Sequence, residues 1–138
     1  MLSLWEEVKN FVIMLIDADL LPLKKRADEG DPIAQMKIAD AYYQGNGVPL
    51  DYKQAKQYLL MVAANNPDDL PQYGFGTLLY VIGELCYHSG QMQEANEWYQ
   101  KSKDYFLETY EDDFGNELIG DFKLENLIAE TQLKIASQ

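Results

Sequence analysis

His88 and Cys86 are the single histidine and the single cysteine of the 138-residue chain, so any nucleophilic or metal chemistry has to start from them. They stand two residues apart. On a helix that spacing turns the side chains in different directions, so they form neither a Cys–His catalytic pair nor, by themselves, a metal site. The acidic pairs Asp68-Asp69 and Asp112-Asp113 are the next candidates, for calcium or magnesium. Neither sits in a loop of alternating oxygen ligands, and solvated or capping carboxylates are the expected role. Gly74-Phe75-Gly76 follows no strand, so it is not a phosphate cradle. The sequence therefore points away from an enzyme and calls for no cofactor and no metal.

Charge points the other way, toward a partner. Lys and Arg number 11 against 23 Asp and Glu, a formal charge of −12. Such a field repels phosphate backbones and anionic lipid and attracts basic surfaces, which excludes nucleic acid and membrane and favours a protein with a basic surface or segment. A lone cysteine allows no internal disulfide, and the start Met1-Leu-Ser-Leu-Trp-Glu-Glu7 is acidic where a signal peptide is basic. The apolar run Phe11–Ile16 is too short to span a bilayer, and a cytoplasmic location is expected.

The elements that position these residues read as helices throughout. Ser3 and Glu6 make a capping-box pattern, and Leu4, Trp5, Val8, Phe11, Val12, Leu15 and Ile16 recur at helical spacing, giving an N-terminal helix within 1–21 that Pro22 ends or kinks. A short helix from Leu23 to Glu29 stops at Gly30. Asp31-Pro32 opens a helix through Gln44, the glycines of Gly45-Asn-Gly-Val-Pro49 make a turn, and Asp51 caps a helix through Ala64. Residues 65–76, with two prolines and two glycines, read as a connector. Thr77–His88 and Met92 to about Tyr110 form a second hairpin, and a last amphipathic helix runs from about Glu117 to Ala136, with Leu118, Phe122, Leu124, Leu127, Ile128 and Leu133 on its core side.

The order Ala27-Asp-Glu-Gly-Asp-Pro-Ile-Ala34-Gln35, Ala39, Tyr42, Tyr43, Gly45-Asn-Gly-Val48, Asp51-Tyr52, Ala55, Tyr58, Ala63-Ala64 resembles the Sel-one-like repeat family. Ile82-Gly83, Cys86, Gly90, Ala95, Tyr99 and Ser102 resemble a tetratricopeptide unit, departing from it at Cys86 and Ser102, where that family usually has Tyr and Ala. The resemblance implies an all-α, short α-solenoid of about two antiparallel hairpins, 22–64 and 77–110, within one domain, with an N-terminal helix and a C-terminal capping helix over 116–138. It also implies a non-enzymatic adaptor that holds a partner in a concave groove lined by Met36, Asp40, Tyr43 and Gln44 from the first hairpin and Tyr80, Glu84, Tyr87 and His88 from the second. The alternative is an immunity protein that neutralises a secreted toxin, for which small size and negative charge are suited. Oligomeric state is left open.

Overall fold

A computed structural model describes residues 20–65, 74–110 and 113–138. Among them the regular structure is entirely helical, without strands. The helices are α1, described over 20–28, α2 (Pro32–Gln44), α3 (Tyr52–Asn65), α4 (Gly74–His88), α5 (Met92–Thr109), α6 (Phe114–Asp121) and α7 (Leu124–Ala136). The expected helix over residues 1–19, most of the 65–76 connector and Glu111-Asp112 lie outside the described residues. The chain divides into two compact units, Met1–Val62 and Ala63–Gln138.

In the first unit, Pro22 is the third described residue of α1, and whether it ends or kinks the expected N-terminal helix lies outside the described residues. Asp31 does two jobs. Its carboxylate accepts from the Ile33 and Ala34 amides at 3.0 and 3.3 Å, capping α2, and accepts from Arg26 of α1 at 2.7 Å. The hydrogen bond from Arg26, and then that from Ala34, hold the carboxyl below its ordinary pKa. Gln35, fully buried, joins the same helices by donating from Nε2 to the Ala27 carbonyl at 2.9 Å.

Gly45 ends α2 in the left-handed region at φ 67°, and Gly47 follows at φ 82°. The turn buries Val48 and closes when the Asp51 amide donates to the Tyr42 carbonyl at 2.9 Å; Asp51 then caps α3 through the Gln54 amide at 3.1 Å. Ala34, Ala39 and Ala55 are buried at the helix contacts, and the Tyr42 and Tyr58 rings stack at 6.2 Å. Small residues let these helices approach closely, and the tyrosine pair fills what remains.

The second unit starts its helix earlier than expected, at Gly74 rather than Thr77. A Cβ on Gly76 would lie 2.3 Å from the Phe106 ring, so the glycine that reads as a loop residue is a point of helix contact. Ser102 of α5 donates to the Gly76 carbonyl of α4 at 2.7 Å, a buried bond that ties the two helices together. Gly83 repeats the arrangement one contact along, its missing Cβ making room for the Tyr99 ring. Tyr99 and Phe106 are fully buried.

The expected single C-terminal helix is two. It breaks after Asp121, with Lys123 in the left-handed region at φ 55°. The break lets Phe122 stack on Phe106 at 5.7 Å and approach Tyr80 at 4.7 Å, a burial that a continuous helix would redirect. α7 then packs through Leu124 and Thr131, while Leu133, expected on the core side, is 73% exposed. Asn96 of α5 donates to Thr131 Oγ1 at 2.9 Å and to the Ile128 carbonyl at 3.0 Å. A buried polar pair of this kind sets the register of one helix on another, because sliding leaves both groups without partners.

Candidate interaction surface

Met36, Asp40, Tyr43 and Gln44 share one face of α2, opposite buried Ala34, Ile38 and Ala41. Asp40 and Gln44 are exposed and joined by a 2.8 Å hydrogen bond from Gln44 Nε2. Met36 and Tyr43 are half-buried, and the Tyr43 ring sits 5.7 Å from that of Tyr52. This quartet leaves polar groups in water and aromatic area beside them.

Tyr80, Glu84, Tyr87 and His88 share a face of α4, and three of them meet α5 or the C-terminal segment. Tyr80 lies between Phe122 and Tyr99. Glu84 accepts from the Tyr99 hydroxyl at 2.5 Å and stands 3.7 Å from His88 Nε2. Burial, and then Glu84, push the Tyr99 hydroxyl far above its ordinary pKa, so it stays a donor. Tyr87 donates to Glu130 at 2.6 Å and accepts from Lys134, whose ammonium also sits 4.3 Å above the Tyr87 ring. The bond to Tyr87 is the main reason that Glu130 is held below and Lys134 above its ordinary pKa. The C-terminal segment thus engages two of the four residues, and α5 a third. His88 is exposed at the end of the row.

Cys86 is buried, with Sγ 3.9 Å from a Glu94 oxygen, and faces away from exposed His88. Among the described residues no group of three or more His, Cys, Asp and Glu side chains is placed to hold a metal, and no helix is long and apolar enough to cross a membrane. A cavity of about 280 Å³ at the α6–α7 turn, lined by Asn116, Ile119, Gly120, Lys123, Glu125 and Asn126, lies at the lower edge of small-molecule sites (roughly 300–1,000 Å³).

What the motif reading passed over is where the charge sits. Residues 63–138 hold 14 acidic and 4 basic side chains, net −10, whereas residues 1–62 hold 9 and 7, net −2. The described ion pairs of the second unit are Glu84–His88, Glu125–Lys103 and Glu130–Lys134. Asp104, Glu108, Asp113, Glu117 and Asp121 are exposed and belong to none of them. The signal was present in the sequence as a stretch, 104–121, without a single Lys or Arg. A comparison of the chain with protein-family models, with curated proteins and with solved structures finds no match.

Proposed function

We propose that the protein is a non-enzymatic binding module of the helical-repeat kind, which takes hold of a partner protein through that partner's basic surface or segment. The observation that carries this reading is the set of exposed carboxylates outside the described ion pairs, Asp104, Glu108, Asp113, Glu117 and Asp121, in a unit whose sequence has a net charge of −10. A field of one sign on a rigid surface accelerates encounter with an oppositely charged protein and discriminates against anionic ones.

Within the proposed reading of α2–α3 and α4–α5 as two repeat hairpins, local geometry supports the first. The glycine turn, the Asp31 and Asp51 caps, buried Ala34, Ala39 and Ala55 and the Tyr42–Tyr58 stack give many of the residues quoted for the Sel-one-like resemblance a packing or turning role. Of the groove residues implied by that resemblance, Asp40, Gln44 and His88 are exposed enough to meet a partner without repacking, whereas Tyr80, Glu84 and Tyr87 would have to leave existing contacts. A buried lone Cys86 suits a reducing, cytoplasmic setting.

The same charge favours a second, narrower reading, an immunity protein that captures a basic toxin quickly. A partner encoded beside this chain's gene as a large secreted toxin would select it.

The test is kinetic. The partner is captured from lysate, identified and produced, and its association rate with the wild-type chain is followed by stopped flow over a salt series. We expect the rate to fall steeply as salt rises, and to fall severalfold when Asp121→Lys is combined with Glu97→Lys, Glu97 being exposed on α5. A rate indifferent to both salt and charge reversal would sink the electrostatic reading.

A further inference from the structure

We propose that the elbow between α5 and α6 is the docking surface for a basic, amphipathic segment of the partner, with Leu107, Tyr110 and Phe114 receiving its apolar side chains and Asp104, Glu108, Asp113 and Glu117 its lysines or arginines. This deepens the binding-module reading and rests on it.

The elbow is built rather than incidental. Gly115 presses the start of α6 onto the end of α5 so closely that a Cβ there would lie 2.6 Å from the Phe106 carbonyl oxygen. The Tyr110 amide donates to that same carbonyl at 3.2 Å, and Phe114 meets the Tyr110 ring edge-on at 5.0 Å. Beneath them Phe106 is fully buried and stacked on Phe122. On this platform Leu107, one helical turn before Tyr110, remains 45% exposed and Phe114 39% exposed. Leu107 and Tyr110 are one turn apart on α5 and Tyr110 meets the Phe114 ring, and apolar side chains grouped in this way mark an interaction surface more than scattered ones do.

Charge decides what covers it. Asp104 and Glu108 flank Leu107 on α5, while Asp113 and Glu117 stand at the start of α6. Asp113 occupies the N-cap position yet makes no capping hydrogen bond, so its carboxylate is not consumed by the helix. Lys101 lies over Trp98, Lys103 pairs with Glu125, Lys134 pairs with Glu130, and Lys123 stands beyond the C-terminal end of α6, the end opposite Asp113. A second copy would bring the same carboxylates against these, and nucleic acid or anionic lipid would be repelled. A small polycation satisfies the carboxylates but leaves the apolar side chains in water. A basic segment with apolar residues at helical spacing satisfies both.

The full chain is titrated with a fluorescent peptide, the heptapeptide Lys-Leu-Ala-Lys-Leu-Ala-Lys doubled, and with two counterparts: one with every Lys replaced by Glu, the other with Leu and Ala replaced by Gly and Ser. Binding is followed by anisotropy and by amide shifts. We expect the first peptide to bind and to move the amides of 104–110 and 113–117, and both counterparts to bind at least about tenfold more weakly. Leu107→Ser with Phe114→Ser weakens binding about tenfold, and Asp104→Asn with Glu117→Gln weakens it and flattens its salt dependence. Asp28→Asn with Glu29→Gln, both exposed in the first unit and outside either candidate surface, changes neither. Circular dichroism and Leu107→Ser alone guard against loss of fold. Binding that survives Leu107→Ser with Phe114→Ser, in a chain whose shifts map elsewhere, overturns the elbow and leaves the binding module standing. Failure of both lysine-bearing peptides to bind overturns the elbow and the binding module together. A dimer in sedimentation that Phe114→Ser dissolves assigns the elbow to a second copy and overturns the basic segment.

Discussion

The first unit joins its helices with alanine and turns its chain on glycines at positive φ; the second joins its helices by setting glycine against aromatic rings. In α2–α3 the glycines, at positions 45 and 47, lie in the turn, while Ala34, Ala39 and Ala55 make the contacts. In α4–α5 the glycines at 76 and 83 lie inside a helix, where they admit Phe106 and Tyr99. The units differ in charge as well, net −2 against −10. A dense aromatic interior allows the second unit to tolerate self-repulsion at its surface, because ring burial contributes more than exposed carboxylates subtract. Stability and recognition are thus separable there, one beneath the surface and the other on it.

The sharpest way to break this comparison is Phe106→Ala. The ring is fully buried and touches Tyr105, Tyr110 and Phe122, so its loss should cost roughly 3–5 kcal/mol. Hydrogen exchange should show protection lost across α4–α7 and largely kept in α2; equal loss in both would mean that the two units do not differ as described.

Thr131→Val comes next. It keeps the shape but takes one acceptor from Asn96, and should cost about 1–2 kcal/mol in denaturant titration. A neutral result would show that the Ile128 carbonyl alone holds α7 in register.

In the first unit Gly45→Ala tests the turn. Its φ of 67° and Leu50 at 3.3 Å from the added Cβ both oppose the substitution, and roughly 1–2 kcal/mol should be lost, read as a lower Tm.

The smallest effect is that of Asp31→Asn, which keeps a capping side chain and removes the charge that faces Arg26. Because the Asp31 carboxyl is held below its ordinary value of 3.8, its contribution is complete above that pH and is lost as the pH falls through the lower, folded-state value. The wild-type chain should therefore exceed Asp31→Asn in stability near neutrality and lose that advantage in acid. A constant difference across the series would assign the effect to capping geometry instead.

The helices between Asp31 and Thr109 were legible because their signals are local: a cap and proline at Asp31-Pro32, glycines at 45, 47 and 90, and apolar spacing between them. The misreadings share a cause. Gly76 looked like a loop residue, and residues 117–136 looked like one helix, because Phe106 and Phe122, which decide both, are distant in sequence from what they organise. Half of the candidate site was visible in the same limited sense. The spacing of Tyr80, Glu84, Tyr87 and His88 puts them on one face, but that Tyr99 and α7 reach that face depends on pairings 15 to 47 residues apart.

By itself the sequence determined that the chain is helical, where most helices between Asp31 and Thr109 begin and end, and that its charge is strongly negative, since each follows from neighbours within a turn or two or from simple composition. The tertiary structure alone decided which aromatic residues are interior and which carboxylates stay in water. Burial is a property of the whole fold: Phe106 and Phe114 are eight residues apart and of one type, yet one is sealed beneath the elbow and the other displayed on it.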